Sequence, residues 1–300
     1  MNLYRIHLKT DATSRQNLVD FCLNEKNPQF AIGWSYLHEK QPGIKSAEDL
    51  SRAHFQQNGT NKRPLQTFAG LQVDDLIWTR DLNGIYYLGR VKATPYAKCI
   101  SELDIGALVP VELLKIGTSL PGNITSRFTR SGLSPTVERI KDSSAIAYSQ
   151  DLYNSKTGKE YYKDYSGYSY DLFEMLPPLD LEELVIDYLQ IKYDYYLSKN
   201  SVAKLDTTIK VECELFPRKA GALPPAVLQV KGGNKSVSPY DFVDYVSDGK
   251  RVFLFFSNQQ YGDQLDGITC ITKNELVDFI KKNLSILPPA IQRWISLCKL

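Results

Sequence analysis

The sequence predicts a mixed chain of two domains, an α+β domain followed by an α/β domain. Three observations carry this. The 300 residues, 43% apolar and 23% charged, are enough for each half to bury a core of its own. The N-terminal half is made of short alternating runs and one clear hairpin, the pattern of a small, partly closed β-barrel with helices. The C-terminal part orders its patterns as helix, strand, strand, helix, strand, helix, which suits an α/β sandwich around a central mixed sheet.

The first domain spans residues 1 to about 145. Leu3 to Leu8 alternates like a strand, and Ser14 is placed to cap a helix running to Leu23. Asp75 to Arg80 and Ile85 to Val91 are β-rich runs on either side of Asn83-Gly84, the strongest short-range hairpin signal. Short apolar pieces at 107–114 and 136–140 complete the barrel.

Residues 146–178 read as a tyrosine-rich linker. Tyr148, Tyr153, Tyr161, Tyr162, Tyr165, Tyr168 and Tyr170 crowd together with Ser, Gly, Lys and Asp, and no helical or strand period survives. The segment either packs its rings on the domains or offers them to nucleobases, since a tyrosine face accepts any base. Met175-Leu176-Pro177-Pro178 ends it stiffly.

The second domain spans 179–300. Leu181, Leu184, Val185, Tyr188 and Leu189 give helical spacing as far as about Leu197. An acidic strand follows at 208–216, then Ala226 to Lys231, a helix at 238–246, the very apolar strand 251–257 and a strand at 267–271. Helices at 273–283 and after Pro288-Pro289 close the domain.

The formal net charge of +2 announces no polycation, so any nucleic-acid binding must come from a local patch. Five scattered cysteines without C-x-x-C spacing point to reduced thiols, neither a zinc site nor a disulfide framework. The N-terminus lacks a secretory pattern, and the longest apolar runs are far too short to span a bilayer. The expected location is therefore the cytoplasm, with no membrane partner. His7, His38 and His54 show no metal-binding spacing, and no G-x-x-x-x-G-K-[ST] loop is present, so no nucleotide cofactor is expected.

Chemistry concentrates on two neighbouring strands. Glu212 and Glu214 share one face of the first, and Gln229 and Lys231 share one face of the second, because side chains alternate along a strand. Phosphodiester hydrolysis needs Mg²⁺ held by one or two carboxylates, plus a lysine to offset developing charge. Glu212-Cys213-Glu214-Leu215 with Val227-Leu228-Gln229-Val230-Lys231-Gly232-Gly233 resembles the PD-(D/E)xK restriction-endonuclease-like superfamily. It is closest to the branch with Gln before the lysine, as in enzymes that restrict modified DNA. The resemblance implies a restriction-endonuclease-like sandwich over 179–300. It also implies Glu212 or Glu214 as the strand acid, with Glu212 preferred. Glu182 would be a further metal ligand from the first helix, with Glu183 as the fallback. Gln229 would orient a water or the metal, and Lys231 would stabilise charge. Glu stands where that family usually has Asp on the first strand.

In the first domain, Gly33-Trp34-Ser35, Asp75-Leu76-Ile77-Trp78-Thr79-Arg80 and Tyr87-Leu88-Gly89-Arg90-Val91 resemble the EVE/YTH group of PUA-like barrels, readers of modified bases. A pocket for an extruded base needs aromatic walls and a few hydrogen-bonding groups. Trp34, Trp78 and Tyr86 are the candidate walls and Ser35 the polar group, although Trp78 and Tyr86 equally suit a barrel core. Arg80 and Arg90, with Arg127 and Arg130 in a basic loop at 126–132, are candidate phosphate contacts. That loop equally suits an ordinary solvated turn.

The expected protein is thus a modification-dependent DNA endonuclease: the first domain binds DNA with a modified, flipped base, and the second cuts it with Mg²⁺. Double-strand cleavage needs two active sites, so a homodimer or paired binding is expected. The alternatives are a nucleic-acid-binding defence or regulatory protein without activity, and an RNA-directed nuclease.

Overall fold

Among the described residues, backbone pairing sorts the strands into two sheets, one of seven strands and one of five. The structure, a computed structural model, describes residues 1–129, 135–163, 171–198, 211–233 and 238–300. Contacts divide the chain into Met1–Leu120 with Ile124–Ser166, and Pro121–Asn123 with Gly167–Leu300.

In the first unit, β1 (Leu3–Ile6) leads to α1 (Arg15–Cys22), whose first turn is closed by the Ser14 hydroxyl. Then come β2 (Gln29–Ile32) and three helices that periodicity did not reveal, α2 (Tyr36–Lys40), α3 (Ala47–Asn58) and α4 (Arg63–Ala69). Helix α3 begins with a full Ser46/Asp49 capping box and ends on left-handed Gly59. The hairpin forms as expected, β3 (Leu76–Arg80) against β4 (Tyr86–Val91). Its turn is held by the Asp81 carboxylate, which accepts the Asn83 and Ile85 N–H groups.

Strands β5 (Tyr96–Ile100) and β6 (Ile105–Gly117), helix α5 (Gly122–Thr129) and strand β7 (Val137–Ile140) follow. The strand order is β2-β6-β4-β3-β1-β7, with β5 also pairing β6. The thirteen-residue β6 pairs β2 and β5 up to Pro110, and β4 from Val111 onward. One long strand shared between two sets of neighbours curls the sheet into a half-barrel.

The tyrosine-rich stretch departs from expectation. Residues Ser143–Thr157 form the fifteen-residue helix α6, capped by Asp142 and ended by left-handed Gly158. Its buried positions include Ala145, Tyr148, Ser149, Leu152 and Tyr153, so the helical period exists, masked by serine and asparagine within the stripe. The part of the expected linker that falls on 164–170, including Tyr165, Tyr168 and Tyr170, lies outside the described residues.

Arg90 helps hold α6 in place. Its guanidinium pairs with Asp74 at 2.5 Å and Glu112 at 2.6 Å, donates to the Tyr153 hydroxyl at 3.2 Å and stacks 3.9 Å from the Tyr161 ring. Removing the buried guanidinium leaves its partly exposed acid partners unpaired. Arg90→Ala is expected to lower stability by about 2 kcal/mol in urea unfolding, allowing for partly exposed acid partners. A change below about 0.5 kcal/mol, the range of ordinary surface substitutions, would show the network to be dispensable.

The second unit starts with α7 (Leu172–Met175) and α8 (Pro178–Lys192), which stops five residues short of the expected end because β8 (Tyr195–Leu197) begins there. Then β9 (Cys213–Pro217), β10 (Ala226–Lys231), a 3₁₀ turn at Pro239–Phe242, α9 (Val243–Ser247), β11 (Arg251–Phe256) and β12 (Ile268–Cys270) follow. Helices α10 (Lys273–Asn283) and α11 (Pro289–Leu297) end the chain as expected.

The sheet order is β12-β11-β10-β9-β8, with β10, β11 and β12 parallel and β8 and β9 antiparallel, a mixed sheet. Val252, Leu254 and Phe256 of β11 pack with Phe242, whereas Phe253 and Phe255 meet Tyr193 and Phe173. Both faces of β11 are covered, which is why its sequence is a continuous apolar run. In the first turn of α8, the buried Asp180 carboxylate accepts the Gly122 N–H at 2.8 Å and the Trp294 indole N–H at 2.9 Å. A side chain at Gly122 would come within 2.6 Å of Leu179, so only glycine fits that approach. Among the described residues no helix is long and apolar enough to cross a membrane.

Candidate active site and base pocket

In the second unit, Cys213 of β9 faces Leu228 of β10, and the Glu212 N–H donates to the Leu228 carbonyl at 2.8 Å. Glu212 immediately precedes β9, and its side chain meets Gln229. The Gln229 amide donates to Glu212 Oε1 and also to the Val230 carbonyl at 3.1 Å. Lys231 Nζ reaches the same Glu212 Oε1 at 3.4 Å. Two donors thus converge on one carboxylate oxygen at the carboxyl end of a parallel strand, where open α/β sheets place their ligands. Gln229 is only 3% exposed, so its amide is held by the strand and not by solvent.

Glu182, in the first turns of α8, lies within electrostatic reach of this pair. Its carboxyl is pushed up to about 7, first by burial and then by the Glu212 charge, with Lys231 acting the other way. Glu182 therefore feels both members of the Glu212–Lys231 pair. Burial raises the carboxyl of Glu183, the fallback, and its charge acts on Asp180 and Asp187.

Glu214, on the same strand face as Glu212, pairs with Lys250 instead. In the ladder Glu214 lies opposite Val227, and of the two strand acids Glu212 is the one that meets Gln229 and Lys231. The start of the expected acidic strand, 208–210, lies outside the described residues. Among the described residues no group of three or more His, Cys, Asp or Glu gathers as a metal site.

The first unit has a cavity of about 360 Å³ whose wall includes Lys9, Thr10, Asp11, Trp34, Tyr36 and Asp104. Trp34 adopts φ +70°, a left-handed backbone uncommon for a bulky residue, and its ring meets His54 edge-on at 6.0 Å. Asp104 organises the wall. Its Oδ1 accepts the Ser35 N–H at 3.0 Å and the Ser35 hydroxyl at 2.8 Å, and its Oδ2 accepts the Asp11 N–H at 3.1 Å. A side chain at Gly33 would come within 2.7 Å of Asp104 Oδ2, so glycine permits this closure.

Several expected contacts are placed elsewhere. Ser35 spends its hydroxyl on Asp104 and is not part of the cavity wall. Trp78 is 0% exposed and donates its indole N–H to the Ser149 hydroxyl at 2.9 Å, so it is a core residue and not a pocket wall. Tyr86 is buried against Phe128, ring centres 5.2 Å apart, again away from the cavity. Arg90 is committed to Asp74 and Glu112, which leaves it unsuited to phosphate. Arg127 lies in α5, not in a loop, and pairs with Glu138 at 2.8 Å. Arg80 lies over Tyr86 and Phe128 and donates to the Tyr86 hydroxyl at 3.4 Å, with no carboxylate partner among the described residues. Arg130 lies outside the described residues.

No local pattern in the sequence marks Asp104, Lys9 or Thr10 as lining residues. Asp104 and Ser35 stand 69 positions apart, and nothing in either local segment marks the pairing. No family model matches the chain, and neither a curated protein nor a solved structure matches it.

Proposed function

We propose that the protein is a modification-dependent endonuclease, its second unit a restriction-endonuclease-like domain that cuts DNA and its first a PUA-like reader of a modified base. The observation that carries the reading is the convergence of Gln229 and Lys231 on one oxygen of Glu212, within electrostatic reach of Glu182.

The residues fit Mg²⁺. Glu182, Glu212 and the Gln229 amide oxygen are hard donors, and Mg²⁺ is ordinarily held by one or two carboxylates with water and substrate phosphate completing the shell. Burial, then the Glu212 charge, raises the Glu182 carboxyl, and a cation held there would offset both. When bound, the ion would polarise the scissile phosphate and lower the pKa of a coordinated water. Lys231 is placed to offset charge developing on the phosphate oxygens. Gln229, buried and tied to the Val230 carbonyl, fixes the orientation of Glu212. Trp34 and Tyr36 supply aromatic surface at a cavity large enough for one extruded base.

The test is incubation of the purified chain, with Mg²⁺, with methylated DNA, unmodified DNA and RNA. Cleavage confined to the modified duplex is expected, and cleavage of none of the three would overturn the reading. Trp34→Ala is expected to reduce the preference for modified over unmodified duplex by about tenfold, the worth of one stacking contact. An unchanged preference would remove Trp34 from the pocket's reading role.

A further inference from the structure

A cluster of arginines around His7 is used neither by the metal site nor by the cavity at Trp34. His7 follows β1, and its backbone N–H donates to the Thr136 carbonyl at 2.8 Å. Its ring meets Phe128 edge-on at 5.4 Å. The same Phe128 ring lies 5.8 Å from the Arg80 guanidinium and 5.9 Å from that of Arg5. From α1, Arg15 donates its Nε to the Leu8 carbonyl at 3.0 Å, one residue beyond His7.

The charges do not cancel. Arg5, Arg15 and Arg80 all act on His7, and the opposing acid is Glu138 of β7. Glu138 already holds Arg5 at 2.7 Å and Arg127 at 2.8 Å. Glu138 thus pairs with two of the guanidinium groups, and no carboxylate pairs with Arg15 or Arg80 among the described residues. Like charges gathered this way lose stability in the free protein and regain it when an anion binds. Burial, followed by these arginines, pushes the His7 imidazole down to about 4, so at neutral pH it is an uncharged ring.

The cluster adjoins the cavity along the chain. Lys9 and Thr136, which line the cavity, are respectively two residues beyond His7 and the residue that accepts its backbone N–H. A base-sized cavity with an aromatic wall beside uncompensated guanidinium forks matches the two parts of a nucleotide.

We infer that the His7 cluster binds a phosphodiester of the nucleic-acid backbone through Arg15 and Arg80, gripping the strand whose base enters the cavity at Trp34. The inference rests on the first unit being a nucleic-acid reader and names the residues that would grip the backbone. It does not depend on whether the second unit cuts.

The test uses the full chain and a labelled DNA duplex of mixed sequence, with binding followed by fluorescence anisotropy over a salt series. Arg15→Gln and Arg80→Gln are each expected to weaken binding about tenfold at low salt and to lower the salt slope by about one. Arg15→Lys should keep most of the slope, and melting curves check that each variant folds. His7 gives a second readout by NMR. Its titration midpoint should rise when duplex binds, and should also rise in free Arg15→Gln and Arg80→Gln, which remove positive neighbours. Unchanged affinity and slope in both Gln variants, or a His7 midpoint unmoved by saturating duplex, would overturn the inference. Binding without cleavage by the wild type would overturn the nuclease reading alone. Cleavage by a protein whose Gln variants bind normally would overturn this inference alone.

Discussion

Lys231→Ala is expected to abolish cleavage of modified DNA, by about a thousandfold, while leaving duplex binding within about twofold of wild type. The magnitude is that of removing one preorganised charge-stabilising group from a site where charge develops in the transition state. The separation of effects follows from placement. Lys231 ends β10 with its ammonium on Glu212, whereas the cavity and the arginine cluster belong to the first unit. Single-turnover cleavage and anisotropy on the same preparation measure the two quantities. Equal cleavage by wild type and variant would remove Lys231 from the chemistry, and the Glu212 convergence would then be structural.

The same convergence explains why Glu214→Gln should behave differently from Glu212→Gln. Glu214 is on the correct strand face yet faces Lys250. Glu214→Gln is therefore expected to retain cleavage within about threefold, a loss small beside the thousandfold of a charge-stabilising group. Loss of cleavage comparable to Glu212→Gln would mean that meeting Gln229 and Lys231 does not select the ligand.

The site was legible in sequence where local rules suffice. Alternation alone set Gln229 and Lys231 on one face, and helical spacing alone set Glu182 near the start of α8. Which of Glu212 and Glu214 meets Gln229 depends on how the two chain segments are brought together, which no local pattern fixes. In the first unit, the hairpin around Asn83-Gly84 follows from turn chemistry, but the identity of the pocket does not. Trp78 and Trp34 are both tryptophans in β-rich company. One is buried with its indole N–H on Ser149, 71 positions away, and the other lines a cavity closed by Asp104. Tertiary pairing separates them, and composition cannot. Helix α6 was hidden for a different reason. Serine and asparagine occupy its buried stripe because Ser149 and Asn154 make internal hydrogen bonds there, which a hydropathy pattern scores as surface.

Mg²⁺ affinity should rise with pH through the neutral range, and Glu182 sets the direction. Its folded-state midpoint, about 7, lies above the ordinary 4.5, because burial and the Glu212 charge favour the protonated acid. A cation held by Glu182 needs the carboxylate, so binding must release that proton whenever the solution is more acidic than the midpoint. Between about pH 8 and about pH 6 the apparent affinity should fall about tenfold, the cost of deprotonating a group with that midpoint. Stability without metal runs the opposite way. The folded state binds more protons than the unfolded chain between 4.5 and about 7, so the stability associated with Glu182 is present below 4.5 and lost as pH rises through 7. Mg²⁺ should therefore raise the melting temperature more at about pH 8 than at about pH 6. Glu182→Gln should flatten both dependences, since the amide has no proton to release, and should melt higher than wild type at about pH 8 in the presence of chelator. Calorimetric titration with Mg²⁺ in buffers of different ionisation enthalpy measures the released proton directly. A wild-type affinity independent of pH, with no proton released near pH 6, would remove Glu182 from the proposed metal site and leave Glu212 as its only carboxylate.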